Sequence, residues 1–103
     1  MTKINIYNKS GLFTGFELYG HTEKEVLCAA ISTATQMTVL GIKDELKLNP
    51  FIKVSDGYLK LIIDEKDVKN EKVQLLMKTC YDTLKQIIKN QKKYVKLEVK
   101  ENV

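Results

Sequence analysis

Two stretches of alternating residues, each folding back on itself at a turn signal, flank a long helical pattern, and together they restrict this chain to a sheet with helices laid on it. Ile4-Asn5-Ile6-Tyr7 alternates apolar with polar, Asn8-Lys9-Ser10-Gly11 is a turn cluster, and Leu12 to Tyr19 is rich in β-formers. These features predict a first hairpin. Phe51-Ile52-Lys53-Val54, the turn Ser55-Asp56-Gly57 and Tyr58 to Ile63 predict a second, with the only proline, Pro50, just before its first strand. Between the hairpins, Thr22-Glu23-Lys24-Glu25 fits a capping box. Val26, Leu27, Ala30, Ile31, Ala34 and Met37 then recur at helical spacing to Leu40, where Gly41 is expected to stop the helix. Val68, Leu75, Leu76, Thr79, Cys80, Leu84, Ile87 and Ile88 mark an amphipathic helix from about Asp67 to Lys89, and Tyr94 to Val99 alternates as a closing strand. The order ββαββαβ predicts an α/β (α+β) fold, a two-layer sandwich with two helices packed on one sheet. The 103 residues suit one domain, 1–103, able to bury roughly 60–65% of its unfolded surface.

Composition narrows the class. Hydrophobic residues at 44% and charged residues at 29% are ordinary for a folded soluble protein and argue against disorder. No apolar run reaches the ~20 residues that span a bilayer, and the first residues alternate where a signal peptide would be continuously apolar. A cytoplasmic protein without a membrane segment is expected. Two cysteines far apart, Cys28 and Cys80, with no CxxC pair, fit reduced thiols better than a disulfide framework. With a single histidine they also make a poor zinc set, so no metal is expected, and hydrolysis by a thiol and an imidazole would require no other cofactor. The net charge of +4 arises from 17 basic and 13 acidic residues. Many of the lysines, from Lys85 to Lys100, are interrupted by Ile87, Ile88, Val95, Leu97 and Val99 at the spacing of a solvated face opposite a core. The chain has no arginine, the residue favoured for bidentate base and phosphate recognition, which argues against direct nucleic-acid binding.

The chemistry concentrates in Gly20-His21-Thr22-Glu23-Lys24-Glu25-Val26-Leu27-Cys28-Ala29-Ala30-Ile31-Ser32, where the only histidine stands seven residues before a cysteine. Gly20 allows a tight turn out of the preceding strand, and the small residues after Cys28 allow close helix packing. A thiol becomes a strong nucleophile when a neighbouring imidazolium or a helix N-terminus favours the thiolate, and this segment could supply both. Each residue also has a plainer reading. His21 alone is more often a surface or hydrogen-bonded structural histidine, and Cys28 alone more often a small core residue. Ser32, one helical turn beyond Cys28, can share its face or bond back to a helix carbonyl. Glu25 is the acidic member of a capping box before it is anything else. Cys80, at core spacing with no base nearby in sequence, reads as packing.

The Gly-His pair, an acidic residue, two aliphatics and Cys-Ala-Ala-aliphatic-Ser resemble the signature of the bacterial ribosomal-processing cysteine protease family, Prp. Here those positions are Gly20, His21, Glu25, Val26, Leu27, Cys28, Ala29, Ala30, Ile31 and Ser32. The family usually has several more residues between histidine and cysteine, and aspartate at the position of Glu25. The resemblance implies His21 as general base and Cys28 as nucleophile, with Gly20, Glu25 and Ser32 in support. It also implies a homodimer whose substrate is the N-terminal extension of a bacterial large-subunit ribosomal protein, number twenty-seven in the standard naming. Two alternatives stay open: a non-catalytic homodimeric interaction domain on the same scaffold, and a small ribosome- or RNA-binding protein using its lysines. The short spacing predicts a resting thiol and imidazole too far apart for a hydrogen bond, closing on substrate. The helix would start at Thr22 by the capping box and near Glu25 by the family motif.

Overall fold

The computed structural model describes residues 1–102. Strands β1 (Thr2–Lys9) and β2 (Leu12–Tyr19) form the first hairpin. Its two-residue loop, Ser10-Gly11, has both residues at positive φ, the backbone that matches strand twist. The register shifts after Tyr7, so that Asn8 faces Phe13 and Thr14 is the additional residue of a bulge. Helix α1 (Glu25–Leu40) leads to the second hairpin, β3 (Phe51–Ser55) and β4 (Tyr58–Ile62), and helix α2 (Glu71–Ile87) leads to β5 (Val95–Glu101). The sheet order is β3-β4-β2-β1-β5, antiparallel except for β5, which runs parallel to β1. The predicted two-layer arrangement is therefore the observed one.

Alternation decides which face is inside. Phe16 stands between Ile6 of β1 and Leu61 of β4, and Ile4 between Leu18 and Leu97. These side chains share one face, and both helices cover it. Helix α1 contributes Leu27, Ile31, Thr35 and Thr38, and α2 contributes Val73, Met77, Cys80 and Leu84, each set a single stripe at helical spacing. Gln74 fixes α2 against the bulge: its side-chain amide accepts from the Phe13 N–H at 2.9 Å and donates to the Phe13 and Val68 carbonyls at 2.8 and 2.7 Å.

The other face of the sheet carries a polar cluster. Glu17 accepts from the Tyr7 hydroxyl at 2.9 Å and from the Tyr58 hydroxyl at 2.5 Å, tying β1, β2 and β4 together. These bonds hold the Glu17 carboxyl below its ordinary range. Burial, reinforced by the bond to Glu17, pushes Tyr7 up to about 12. On β5, Glu98 pairs with Lys100 and Lys96 at 2.9 and 2.8 Å, so part of the C-terminal lysine set is matched by a local carboxylate.

Three boundaries differ from expectation by three residues or more. Helix α1 starts at Glu25, not Thr22; Lys24 occupies the N-cap without a side-chain hydrogen bond, and the Thr22 hydroxyl is buried with no partner among the described residues. Gly41 does not stop the helix. It is right-handed helical and opens a five-residue π-helical turn, Gly41–Glu45, that continues α1. A Cβ there would meet Leu76 Cδ1 at 3.0 Å, so this glycine serves close approach of α2. Helix α2 starts later than Asp67, at Glu71, because the Asn70 side chain caps it by accepting from the Lys72 and Val73 N–H groups at 2.8 and 3.4 Å. A short 3₁₀ turn, Glu65–Asp67, precedes it.

By length and composition the 21 residues Glu25–Glu45 could cross a membrane, contrary to the expectation that no stretch would qualify. Their apolar stripe is committed elsewhere: Leu27, Ile31 and Ile42 fill the core, and moving them into lipid would strip the sheet of its cover.

Candidate active site

The end of β2, the start of α1 and the β3–β4 turn converge on one cavity of about 570 Å³. Gly20 makes the convergence possible. Its φ of +90° turns the chain sharply out of β2, its N–H donates to the Gly57 carbonyl at 3.0 Å, and a Cβ would lie 2.5 Å from the Met1 carbonyl oxygen. The chain then brings His21 and, three residues into α1, Cys28 to the lining of this cavity.

Gly20, His21, Cys28 and Ser32 all line this cavity. Cys28 is half-buried, and its thiol donates to the Thr22 carbonyl at 3.4 Å, leaving its proton on the backbone next to His21 and not on the imidazole. The Cys28 N–H donates to the Lys24 carbonyl at 3.0 Å, the first helical bond of α1. Its own amide is therefore engaged, and the unpaired amides of the helix start belong to the three residues before it. Ser32 follows one turn later on the same wall, and its hydroxyl accepts from the Gln36 amide at 3.4 Å. Ile31, Val39 and Leu59 make much of the remaining lining apolar.

Glu25 is not part of this arrangement. As the first residue of α1 it is exposed and borders a separate groove with Leu27, Ala30 and Gln91, where its charge favours the helix N-terminus. The carboxylate that does border the cavity is Asp56, in the β3–β4 turn beside Gly57. The sequence marked Asp56 and Gly57 only as turn residues; their proximity to His21 depends on β4 pairing with β2, a long-range contact that no local pattern encodes.

Cys80 is the opposite case. It lies buried between the helices with its thiol 3.9 Å from the Ala34 carbonyl, and burial pushes that thiol up. The lysines of the C-terminal third make local contacts: Lys85 lies over the Tyr81 ring and Lys93 over the Tyr94 ring.

A half-buried thiol, an imidazole and a hydroxyl on one largely apolar wall are the equipment of a cysteine hydrolase, and the protein is a cysteine protease. The sequence profile described as cysteine protease Prp matches residues 1–96, and the chain belongs to that family. Among curated proteins, none matches. Among solved structures the fold is similar to that of SMU.848 from Streptococcus mutans, with a TM-score of 0.88, 23% identity and 99% of each chain covered. It is also similar to the essential ribosomal processing protease Prp from S. aureus in complex with a covalently linked product peptide, with a TM-score of 0.88 and 21% identity over 97% of this chain and 100% of that one. The same S. aureus protease in complex with a substrate peptide gives a TM-score of 0.86 at 19% identity, over 97% of this chain and 100% of that one.

Proposed function

We propose that this protease removes the N-terminal extension of a bacterial large-subunit ribosomal protein, number twenty-seven, through a thioester on Cys28, and that it works in the cytoplasm. The observation carrying this reading is the placement of Cys28 and His21 on one cavity of a chain in the Prp family. The S. aureus relative, a ribosomal processing protease solved with a substrate peptide, supports the substrate class.

In this reading His21 takes the Cys28 proton as the thiol leaves the Thr22 carbonyl, and the sulfur attacks the scissile carbonyl carbon. The tetrahedral intermediate collapses to a thioester as the C–N bond breaks, and the imidazolium returns its proton to the departing amine. Water, deprotonated by His21, then attacks the thioester and releases the acid and the thiol. The Ser32 hydroxyl, on the same wall, is the side chain we assign to steadying the carbonyl oxygen; the Cys28 amide, already bonded to Lys24, is not.

Incubating the protein with a peptide spanning the extension junction of that ribosomal protein tests the substrate. One cleavage, mapped by mass spectrometry to a single bond, is expected; an intact peptide, under conditions where a general thiol-protease substrate is cut, overturns the substrate assignment.

We also propose a homodimer. On α2, Val73, Met77 and Leu84 are buried, and Leu75 is the one exposed large apolar residue. More exposed apolar side chains stand on α1, at Val26, Met37 and Leu40, and on β3, at Phe51 and Val54. Light scattering at micromolar concentration should give twice the chain mass of 11.8 kDa. A monomer that persists at high concentration refutes the dimer.

A further inference from the structure

We propose that Gly57, in the β3–β4 turn, is a positioning residue for the reaction: its bare Cα is the seat on which the His21 imidazole rests. The inference rests on the reading of His21 as general base. A Cβ built on Gly57 would lie 2.5 Å from His21 Nε2, 3.1 Å from Cε1 and 3.2 Å from Cδ2. All three are atoms of one end of the ring, so the imidazole abuts the turn by its Nε2 edge, with no room for even a methyl group between them. The same turn is held in place from two sides. The Gly57 carbonyl accepts from the Gly20 N–H, next to His21 in the chain, and Tyr58 is bonded through its hydroxyl to Glu17 on β2. The seat is thus built on the sheet and tied to the segment that carries the ring.

His21 is exposed and is the only histidine. An exposed ring holds one orientation only where something stops it, and a general base must reach the thiol in a narrow range of geometry. The Gly57 surface is that stop. A side chain at position 57 displaces the Nε2 edge by the better part of an ångström, and the cheapest response is for the ring to swing away while the fold stays as it is. A misplacement of that size costs on the order of 10²-fold in rate.

Glycine at this position also has an ordinary structural cause, a φ of +67°. Gly11 separates the two causes, because it has a similar φ of +79° in the β1–β2 turn but nothing within 4 Å of its Cβ direction. Gly57→Ala and Gly11→Ala therefore impose similar backbone strain, and only the first meets the imidazole. Gly57→Asn is the second variant: asparagine tolerates positive φ better than alanine and still carries a Cβ.

The test measures kcat and KM for peptide cleavage, thermal unfolding, and the imidazole resonances of the single histidine by NMR. Gly57→Ala and Gly57→Asn should lower kcat by about 10–100-fold with KM within about twofold, and displace the His21 resonances. Gly11→Ala should keep kcat and leave those resonances in place while lowering the melting temperature about as much as Gly57→Ala. Wild-type kcat in either folded Gly57 variant, or an equal loss of kcat in Gly11→Ala, overturns the proposal. Undiminished cleavage by His21→Ala would instead overturn the role of His21, whatever Gly57 does.

Discussion

Cys28→Ala is expected to lower kcat/KM for peptide cleavage by about 10⁴-fold or more, the cost typical of deleting a covalent nucleophile. The melting temperature should hardly change. Cys28 is only half-buried and its thiol makes one long bond, to the Thr22 carbonyl, so little packing is lost with it. Cys28→Ser should be nearly as inactive, because a hydroxyl at that position is a far weaker acid than a thiol and the site has one base to ionise it. Cys80→Ser has the reverse profile. That thiol sits among core side chains, so its replacement should cost stability and leave cleavage intact. Iodoacetamide should accordingly label the native protein at Cys28 alone. If both cysteine variants stay folded and lose activity equally, Cys28 is not the nucleophile.

Phe16→Ala is the substitution expected to cost most in stability, about 3–5 kcal/mol. Phe16 is 1% exposed at the centre of the sheet, with Ile6 on one side, Leu61 on the other and both helices above. Against the 5–15 kcal/mol typical of whole domains, that loss would lower the melting temperature by roughly 15–30 °C. Leu75→Ala on α2 removes a residue that is 67% exposed and should stay within about 0.5 kcal/mol of wild type. Urea denaturation of the two variants compares them directly. Similar midpoints would mean that the sheet centre is not the core of the fold.

What the sequence made legible follows from the range of the interactions involved. Strand β2 was readable to its end residues because its signals are local: a turn with a left-handed pair before it and a glycine after it. The five strands and two helices were all visible as alternation or helical stripes. The start of α1 was not. Thr22 and Glu25 have the spacing of a capping box, but Gly20 bends the chain so that the Thr22 carbonyl turns to the Cys28 thiol and its hydroxyl reaches no helical amide. Gly41 misled for a similar reason. A glycine at a helix end usually signals a left-handed cap, whereas this one makes room for Leu76 of the other helix, a residue 35 positions away. In the site, Gly20, His21, Cys28 and Ser32 were legible as one short motif. Asp56 and Gly57 were not, since nothing in a hairpin turn announces which loop it will meet across the sheet.

The parallel pairing of β5 with β1 has a consequence in time. Every residue lining the candidate cavity lies between Thr2 and Leu59, whereas Val73, Met77 and Leu84, which complete the core, come later in the chain. At ~5–20 residues per second, the stretch from residue 60 to 101 takes roughly 2–8 s to synthesise. Throughout that interval the cavity residues belong to a chain whose sheet has an open β1 edge and lacks the α2 part of its cover. Joining Thr2 to Val95 then closes a loop whose entropic cost is about 4 kcal/mol, a late and expensive step set against the immediate closure of the first hairpin. Docking of α2 and β5 is thus expected to complete the frame around the cavity last, seconds after the residues that line it have been made.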